Sequence, residues 1–333
     1  MATKKKLNCA VIGVGNMGRH HARVYAEMKN VNLVAIADVH GKSVHGIAGK
    51  YKCEYYKDYR RMLDTEKPDA VTVAVPTSLH REVALACIDR HIPVLIEKPI
   101  AESIRSAKDI INRGKAKKVP VCIGHVERFN PVIQKLKQLI VQRRFGHIIS
   151  IGSKRVGLFP PQVLDTDVII DLAVHDIDIC NYLLGLQPTT VNARAGKALN
   201  NKMYDYADIL LGYNGIDVHI QVNWITPVKV RQLSLTGTKG YAELNYLNQT
   251  LRIYKSSYKK KIDSYGEYVV RFGSPQTKEL SLTGKEPLKL ELQNFIEHIK
   301  YGNSNIVTAG DGLAALEIAL KAIRAADRSH NKS

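Results

Sequence analysis

The sequence predicts a two-domain α/β protein: a doubly wound parallel sheet over residues 1–125, then an α+β domain with an open, mostly antiparallel sheet over residues 126–330. Three observations predict it. Up to about residue 125, short runs of Val, Ile and Ala alternate with helical patterns, as strands covered on both faces by helices require. Beyond Val126 the chain becomes strand-rich and is broken by turn signals such as "YNG" (213–215) and "GTKG" (237–240), which favour antiparallel pairing. And 333 residues are more than one small core needs.

In order, the strand candidates of the first domain are "CAVIGV", "LVAIADV", "AVTVAVP", "PVLIEKP" and "PVCIGHV". Between them lie the helix candidates "MGRHHARVYAEM", "KSVHGIAGKY", "DYRRMLDT", "HREVALACIDR" and "SIRSAKDIINRGKAK". The second domain opens on "FNPVIQKLKQLIVQRR", with Asn130 as N-cap and Pro131 at the first helical position. Strands follow at "HIISIGSKRV", "TVNARAGKA", "ADILLGY", "GIDVHIQVNWI", "VRQLSLTGT", "YAELNY" and "TLRIYK". Two helices close the chain, "PLKLELQNFIEHIKYG" and "GDGLAALEIALKAIRAAD", the last free to pack back on the first domain.

Composition narrows the function classes. A hydrophobic fraction of 45% with 24% charged residues is that of an ordinary soluble protein. No apolar run approaches the ~20 residues that span a bilayer. The N-terminus passes from a short basic tail into a strand pattern without a signal-peptide core, so a cytoplasmic, membrane-free protein is expected. Cys9, Cys53, Cys87, Cys122 and Cys180 show no metal-ligand spacing, which predicts neither a disulfide framework nor a metal site. The net charge of +18 is spread widely, and its runs "KAKK" (115–118) and "YKKK" (258–261) lack interleaved stacking aromatics. That favours a solvated surface over nucleic-acid binding, with a positive field that draws in an anionic small substrate.

The first turn carries a nucleotide fingerprint. "AVIGVGNMGRHHARVY" places Gly13, Gly15 and Gly18 in G-x-G-x-x-G between a strand and a helix, with Asn16 and Met17 in the same loop. The glycines serve a tight turn, close approach to a pyrophosphate, and helix–strand packing. The helix N-terminus favours phosphate. Asp38, twenty residues after Gly18, suits the adenosine ribose hydroxyls and repels a 2′-phosphate, so NAD is the expected cofactor of a Rossmann domain. His20 and His21 read as packing or cofactor-edge residues.

"DLAVHDIDICNYLLG" (171–185) is an apolar helix with a polar stripe. Asp171, His175 and Asp178 recur at i, i+4 and i+7, one face of a helix. Burying an unpartnered carboxylate costs several kcal/mol, so something is expected to compensate for this stripe; for Asp178 that is a structural role, in the hydrogen-bond network of the stripe or against the first domain. Asp176 points away from it and is expected in an ordinary cap or salt bridge.

At "IEKPIAES" (96–103) the chain resembles the glucose–fructose oxidoreductase/inositol dehydrogenase (Gfo/Idh/MocA) family, through Glu97-Lys98-Pro99. "VPTSLHREVA" (75–84) resembles that family's cofactor loop, "HVERFNP" (125–131) its crossover, and "DLAVHDID" its catalytic helix. The resemblance implies cofactor contacts from Pro76, Thr77, His80, Glu97 and Lys98. It also implies a catalytic set in which Lys98 holds the substrate hydroxyl, His175 takes its proton, and Asp171 orients the imidazole or binds a hydroxyl. Those roles suit alcohol oxidation, which needs a hydride acceptor and a base near neutral pH.

Two stretches (153–179 and 223–254) resemble the branch that oxidises the C3 hydroxyl of UDP-N-acetylglucosamine, whose product passes to a partner aminotransferase. A UDP-sugar needs cations and a flat wall. Arg128, Asn130, Lys154, Arg155 and Trp224 are the candidate substrate contacts, with Lys229 or Arg231 as further cations. Fold alone does not fix substrate, so two alternatives stand. One is a dehydrogenase of inositol, a sugar phosphate or a UDP-uronic acid; the other is a non-catalytic NAD-binding sensor or scaffold. The open sheet of the second domain is expected to expose an apolar face, covered by assembly into a homo-dimer or homo-tetramer.

Overall fold

The computed structural model describes residues 6–159, 166–199, 202–255, 258–262, 268–272, 275–302 and 305–330. The chain divides into two compact units, residues 1–129 with 286–317, and residues 130–285 with 318–333. Part of the family-like stretch 153–179, at 160–165, lies outside the described residues.

The first unit is built on β1 (Leu7–Ile12), β2 (Val31–Ala37), β3 (Glu54–Tyr56), β4 (Ala70–Val73), β5 (Val94–Glu97) and β6 (Val121–Gly124). These form one parallel sheet in the order β3-β2-β1-β4-β5-β6. Its connections carry α1 (Gly18–Glu27), α2 (Gly41–Tyr51), α3 (Tyr59–Glu66), α4 (His80–Asp89) and α5 (Ile104–Lys117). Every residue of β4 and β5 is buried, as the continuous apolar runs require of strands covered on both faces. Asp58 and Ser103 cap α3 and α5 by accepting from backbone N–H groups two and three residues on. Strand order reverses between β1 and β4, the crevice where open α/β sheets bind ligands.

The second unit begins with α6 (Pro131–Val141), where Asn130 is the N-cap. Then come β7 (Ile148–Leu158), α7 (Val174–Leu184), β8 (Thr190–Gly196), β9 (Tyr206–Tyr213), β10 (Ile216–Asn223), β11 (Ile225–Gly237), β12 (Gly240–Asn245) and β13 (Thr250–Lys255). The hairpin β14 (Tyr258–Ile262) and β15 (Tyr268–Phe272) precedes β16 (Gln276–Ser281). An eight-stranded sheet runs β16-β13-β12-β11-β7-β10-β9-β8, antiparallel except where β7 meets β10. Helices α8 (Pro287–Tyr301) and α9 (Ala309–His330) close the chain, with α8 and the first turns of α9 counted in the first unit.

Alternation along the strands sorts the two faces of this sheet. Ile151, Val218, Ile220, Val222, Leu233 and Leu235 are buried on one face. The other face is polar, which corrects the expectation of an apolar surface there. Cross-strand register aligns Gln221 with Lys154, Lys154 with Gln232, and Glu243 with Arg252, which pairs with Glu279. Period-2 alternation sends most of the aliphatic residues inward, and the outward positions are mainly hydrogen-bonding side chains, with Leu210 an exposed exception. Among the described residues, no helix is long and apolar enough to cross a membrane.

Candidate active site

In the first unit, the expected cofactor residues gather at the carboxyl ends of the parallel strands. Gly13 follows β1 with φ +85°, and a Cβ there would lie 2.6 Å from backbone atoms of Ala74 after β4. A Cβ on Gly18 would lie 1.8 Å from the Gly13 carbonyl oxygen, so α1 starts hard against the turn. Gly15 has open space where its Cβ would be. Two glycines thus hold the turn tight while the third leaves room, the arrangement a dinucleotide pyrophosphate needs. Asp38 accepts from Val14 N at 2.7 Å and from His40 N at 2.8 Å, which fixes the carboxylate beside the glycine loop. Asn16 and Met17 are exposed in that loop, and Asn16 accepts from Arg19. Pro76 is exposed and Thr77 half-buried in the turn after β4.

Beneath these residues lies a buried polar layer. His21 on α1 is fully buried, and its Nε2 lies 2.7 Å from Glu97 Oε1 at the end of β5. Burial alone would raise the Glu97 carboxyl; the His21 hydrogen bond and the charges of His21 and Lys98 outweigh it and hold it below its ordinary value. Glu97 also accepts from Lys98 N, so the helix behind the glycine loop is tied to the segment carrying Lys98. The His80 ring spans the carbonyl oxygens of Pro99 (2.8 Å from Nδ1) and Val75 (2.9 Å from Nε2). His80 and Glu97 are therefore bound to protein groups, and they brace the two loops that Thr77 and Lys98 occupy. Lys98 itself is half-buried, and its peptide bond to Pro99 is cis. The part His21 plays was not legible from its type. Only its place one turn after Gly18, on the helix face that meets the sheet, marks it.

In the second unit, the helix carrying the polar stripe starts irregularly. Asp167 accepts from Ile169 N and Ile170 N, and a π-helical turn, Ile169–Ala173, leads into α7. Burial pushes the Asp167 carboxyl up, only partly opposed by those two amides. Asp171 sits in the π turn and His175 in the first turn of α7, and both are partly exposed. Asp178 is 1% exposed, so the stripe reaches solvent at its first two members and ends in the core. Asp176 is fully buried: Arg155 donates to it through Nε at 2.7 Å and Nη2 at 3.2 Å, and Ser153 Oγ at 2.7 Å.

A cavity of about 380 Å³ opens beside Asp171, lined by Leu158, Leu172, Trp224, Pro227, Lys229 and Arg231 among others. Trp224 is 2% exposed and packs edge-on against Phe159, at 5.1 Å between centroids. It is both core and wall. Arg231 is anchored by donating from Nη1 to the carbonyls of Val156 and Val230.

The other expected substrate contacts are not among the residues that line this cavity. Lys154 is on the opposite, polar face of the sheet, one residue out of phase with the cavity side. Arg155 is 4% exposed, committed to Asp176 and stacked on the Tyr246 ring. Arg128 in the first unit pairs with Asp311 at 3.2 Å. Asn130 caps α6 and donates to the Tyr246 carbonyl. Among the described residues, no group of three or more His, Cys, Asp or Glu could hold a metal ion.

Sequence-family comparison matches residues 7–125 to "Oxidoreductase family, NAD-binding Rossmann fold" and residues 133–243 to "GFO/IDH/MocA C-terminal domain". UDP-N-acetylglucosamine 3-dehydrogenase of Acidithiobacillus ferrooxidans is 30% identical over 252 residues, 74% of this chain and 77% of the relative. The crystal structure of that enzyme, GnnA, matches with a TM-score of 0.84 over 96% of this chain and 97% of that one, at 26% identity. The scyllo-inositol 2-dehydrogenase (NAD(+)) of Bacillus subtilis is 26% identical over 95% of this chain and 93% of its own. An oxidoreductase from Agrobacterium radiobacter, solved in complex with NAD+, L-tartaric acid and magnesium, shares the fold. Its TM-score is 0.81 at 20% identity, covering 98% of this chain and 97% of that one.

Proposed function

The chain belongs to the Gfo/Idh/MocA family of NAD-dependent CH–OH dehydrogenases, and on that premise we propose that it oxidises the C3 hydroxyl of UDP-N-acetylglucosamine to the 3-keto sugar nucleotide. What carries this reading is the cavity at Asp171, which combines a carboxylate, a Trp224 wall and the cations Lys229 and Arg231. A free polyol offers two cations only neutral hydroxyls, whereas a nucleotide diphosphate offers them anionic oxygens. The relative named for UDP-N-acetylglucosamine and the inositol dehydrogenase both resemble the chain, and the charge of this cavity favours the former.

In the proposed reaction the glycine loop and the α1 N-terminus bind the pyrophosphate of NAD, and Asp38 binds its adenosine ribose. Bound NAD supplies the hydride acceptor. Lys98 holds the C3 hydroxyl and stabilises negative charge as it develops on that oxygen. His175 removes the hydroxyl proton. Asp171 accepts from a sugar hydroxyl or from the imidazole, keeping the base oriented. Lys229 and Arg231 hold the diphosphate. The keto product is suited to amination by a partner aminotransferase. Assembly into a homo-dimer or homo-tetramer is proposed from the family resemblance alone, because the sheet face that would have required it is polar.

The test mixes the purified chain with NAD and UDP-N-acetylglucosamine, with a carbonyl trap to pull an uphill oxidation, and follows reduced-nicotinamide absorbance. Turnover is expected, and His175→Ala and Lys98→Ala each lower kcat by roughly 100-fold or more while NAD binding is retained. Intact NAD binding without turnover of this substrate would remove the proposal.

A further inference from the structure

The second unit carries another cavity, of about 320 Å³, at the end of the sheet beside α6. Its floor is apolar: Leu139, Phe145, Ile253 and Leu280. Its polar lining includes five cations, Lys135, Arg144, Lys239, Lys255 and Lys278, and no carboxylate. None of the five forms an ion pair among the described residues, and Lys135 donates only to Gln138.

The arrangement is built into the fold. The turn bearing Lys239 is clamped to the α6–β7 connection by Lys239 N to Phe145 O (3.0 Å), Thr238 N to His147 O (2.9 Å) and His147 N to Thr238 Oγ1 (3.0 Å). Gly237 permits that approach, since a Cβ there would sit 2.2 Å from the Phe145 carbonyl oxygen. The backbone that carries Arg144 and Lys239 is thereby held at one side of the cavity. On the other side, register pairs Ile253 with Lys278 and Lys255 with Gln276, which makes the two lysines diagonal neighbours on one face. An inward-facing lysine on an edge strand also deters pairing with a foreign sheet. That accounts for Lys278 alone, not for cations converging from α6, from the clamped turn and from β13. Five like charges around one concavity repel one another, and a bound anion relieves that repulsion. The volume is within the range of small-ligand pockets.

We propose that this cavity is an anion site for a ligand carrying adjacent phosphates, a diphosphate-class group with a compact apolar portion against Phe145 and Leu280. It stands apart from the Asp171 cavity and does not depend on which sugar is oxidised there.

The probe is inorganic pyrophosphate, titrated calorimetrically into the full chain with NAD saturating. Two charge-reversal pairs are compared: Lys255→Glu with Lys278→Glu, and Lys108→Glu with Lys115→Glu on the exposed side of α5, which changes net charge equally. The expected result is binding that weakens roughly tenfold or more in the first pair and little in the second, with NAD affinity unchanged in both. No binding to the wild type, or equal weakening in the two pairs, overturns the proposal, as does binding unaltered by Lys255→Glu with Lys278→Glu. A parallel arm identifies the source of the phosphate. Sedimentation with phosphatidylglycerol vesicles but not phosphatidylcholine vesicles, lost in the first pair only, assigns a lipid headgroup. Pyrophosphate binding without such sedimentation assigns a soluble ligand.

Discussion

At the scale of single residues, the division of labour around Asp171 follows from burial. Arg155 and Arg231 lie on adjacent strands in direct register, yet Arg155 is sunk against Asp176 while Arg231 reaches the Asp171 cavity. In the proposed reaction it is Arg231 and Lys229 that hold a substrate diphosphate. Replacing either by Met is expected to raise KM for the nucleotide sugar by about 10- to 100-fold with kcat little changed, since each cation binds ground state and transition state alike. Steady-state kinetics on both variants reads that split directly; a fall in kcat at constant KM would place the diphosphate elsewhere. Sequence position had made Lys154, Arg155, Lys229 and Arg231 comparable. Strand sense turns Lys154 outward, the Asp176 carboxylate separates Arg155 from Arg231 on the face they share, and a bulge between Ile225 and Val230 hides the sense of Lys229 and Arg231 from simple alternation.

At the scale of elements, the helix bearing His175 is held by polar groups on both flanks. Asp167 caps its first turn, and the buried Arg155–Asp176 pair fixes its rotation against β7, one residue from His175. Asp176→Asn leaves a buried guanidinium without its counter-charge, and a loss of about 3–5 kcal/mol is expected in urea unfolding. Arg155→Met combined with Asp176→Leu removes both charges and is expected to recover most of it; an equal loss in the double variant would assign the effect to packing instead. The i, i+4 stripe of Asp171 and His175 was legible because helical periodicity survives into the structure. The π turn was not, because one extra residue in a turn leaves no mark in composition. Strand β3 was missed for its length of three residues, too short for a pattern. The polar outer sheet face was not legible because the facing of each strand residue depends on register and on shifts such as that between Ile225 and Val230.

At the scale of the molecule, stability toward acid is coupled to the layer under the cofactor loops. Burial, the largest influence on His80, holds its imidazole below the ordinary value; the carbonyls of Pro99 and Val75 and the charge of Glu97 offset this only in part. The unfolded chain takes up a proton near pH ~6.5, while folded His80 stays neutral to lower pH. The unfolded state then binds more protons, so stability falls as pH drops below about 6.5. Melting temperatures of the wild type are expected to decline over that window, and His80→Gln to show a shallower decline; parallel slopes would remove His80 as the cause. The alternation of strands and helices and the G-x-G-x-x-G turn made the first unit readable, since each is enforced locally. The return of residues 286–317 to that unit rests on long-range packing, as of Leu292 and Phe295 in the core with Val24 and Tyr25, which no local pattern announces.

Whether the substrate is a nucleotide sugar is decided by comparing kcat/KM for UDP-N-acetylglucosamine and myo-inositol on one preparation, with UDP as added inhibitor. A preference of about 100-fold or more for the nucleotide sugar is expected, together with UDP inhibition that is competitive and weakened in Arg231→Met. Equal or faster turnover of myo-inositol, unaffected by UDP, would contradict it.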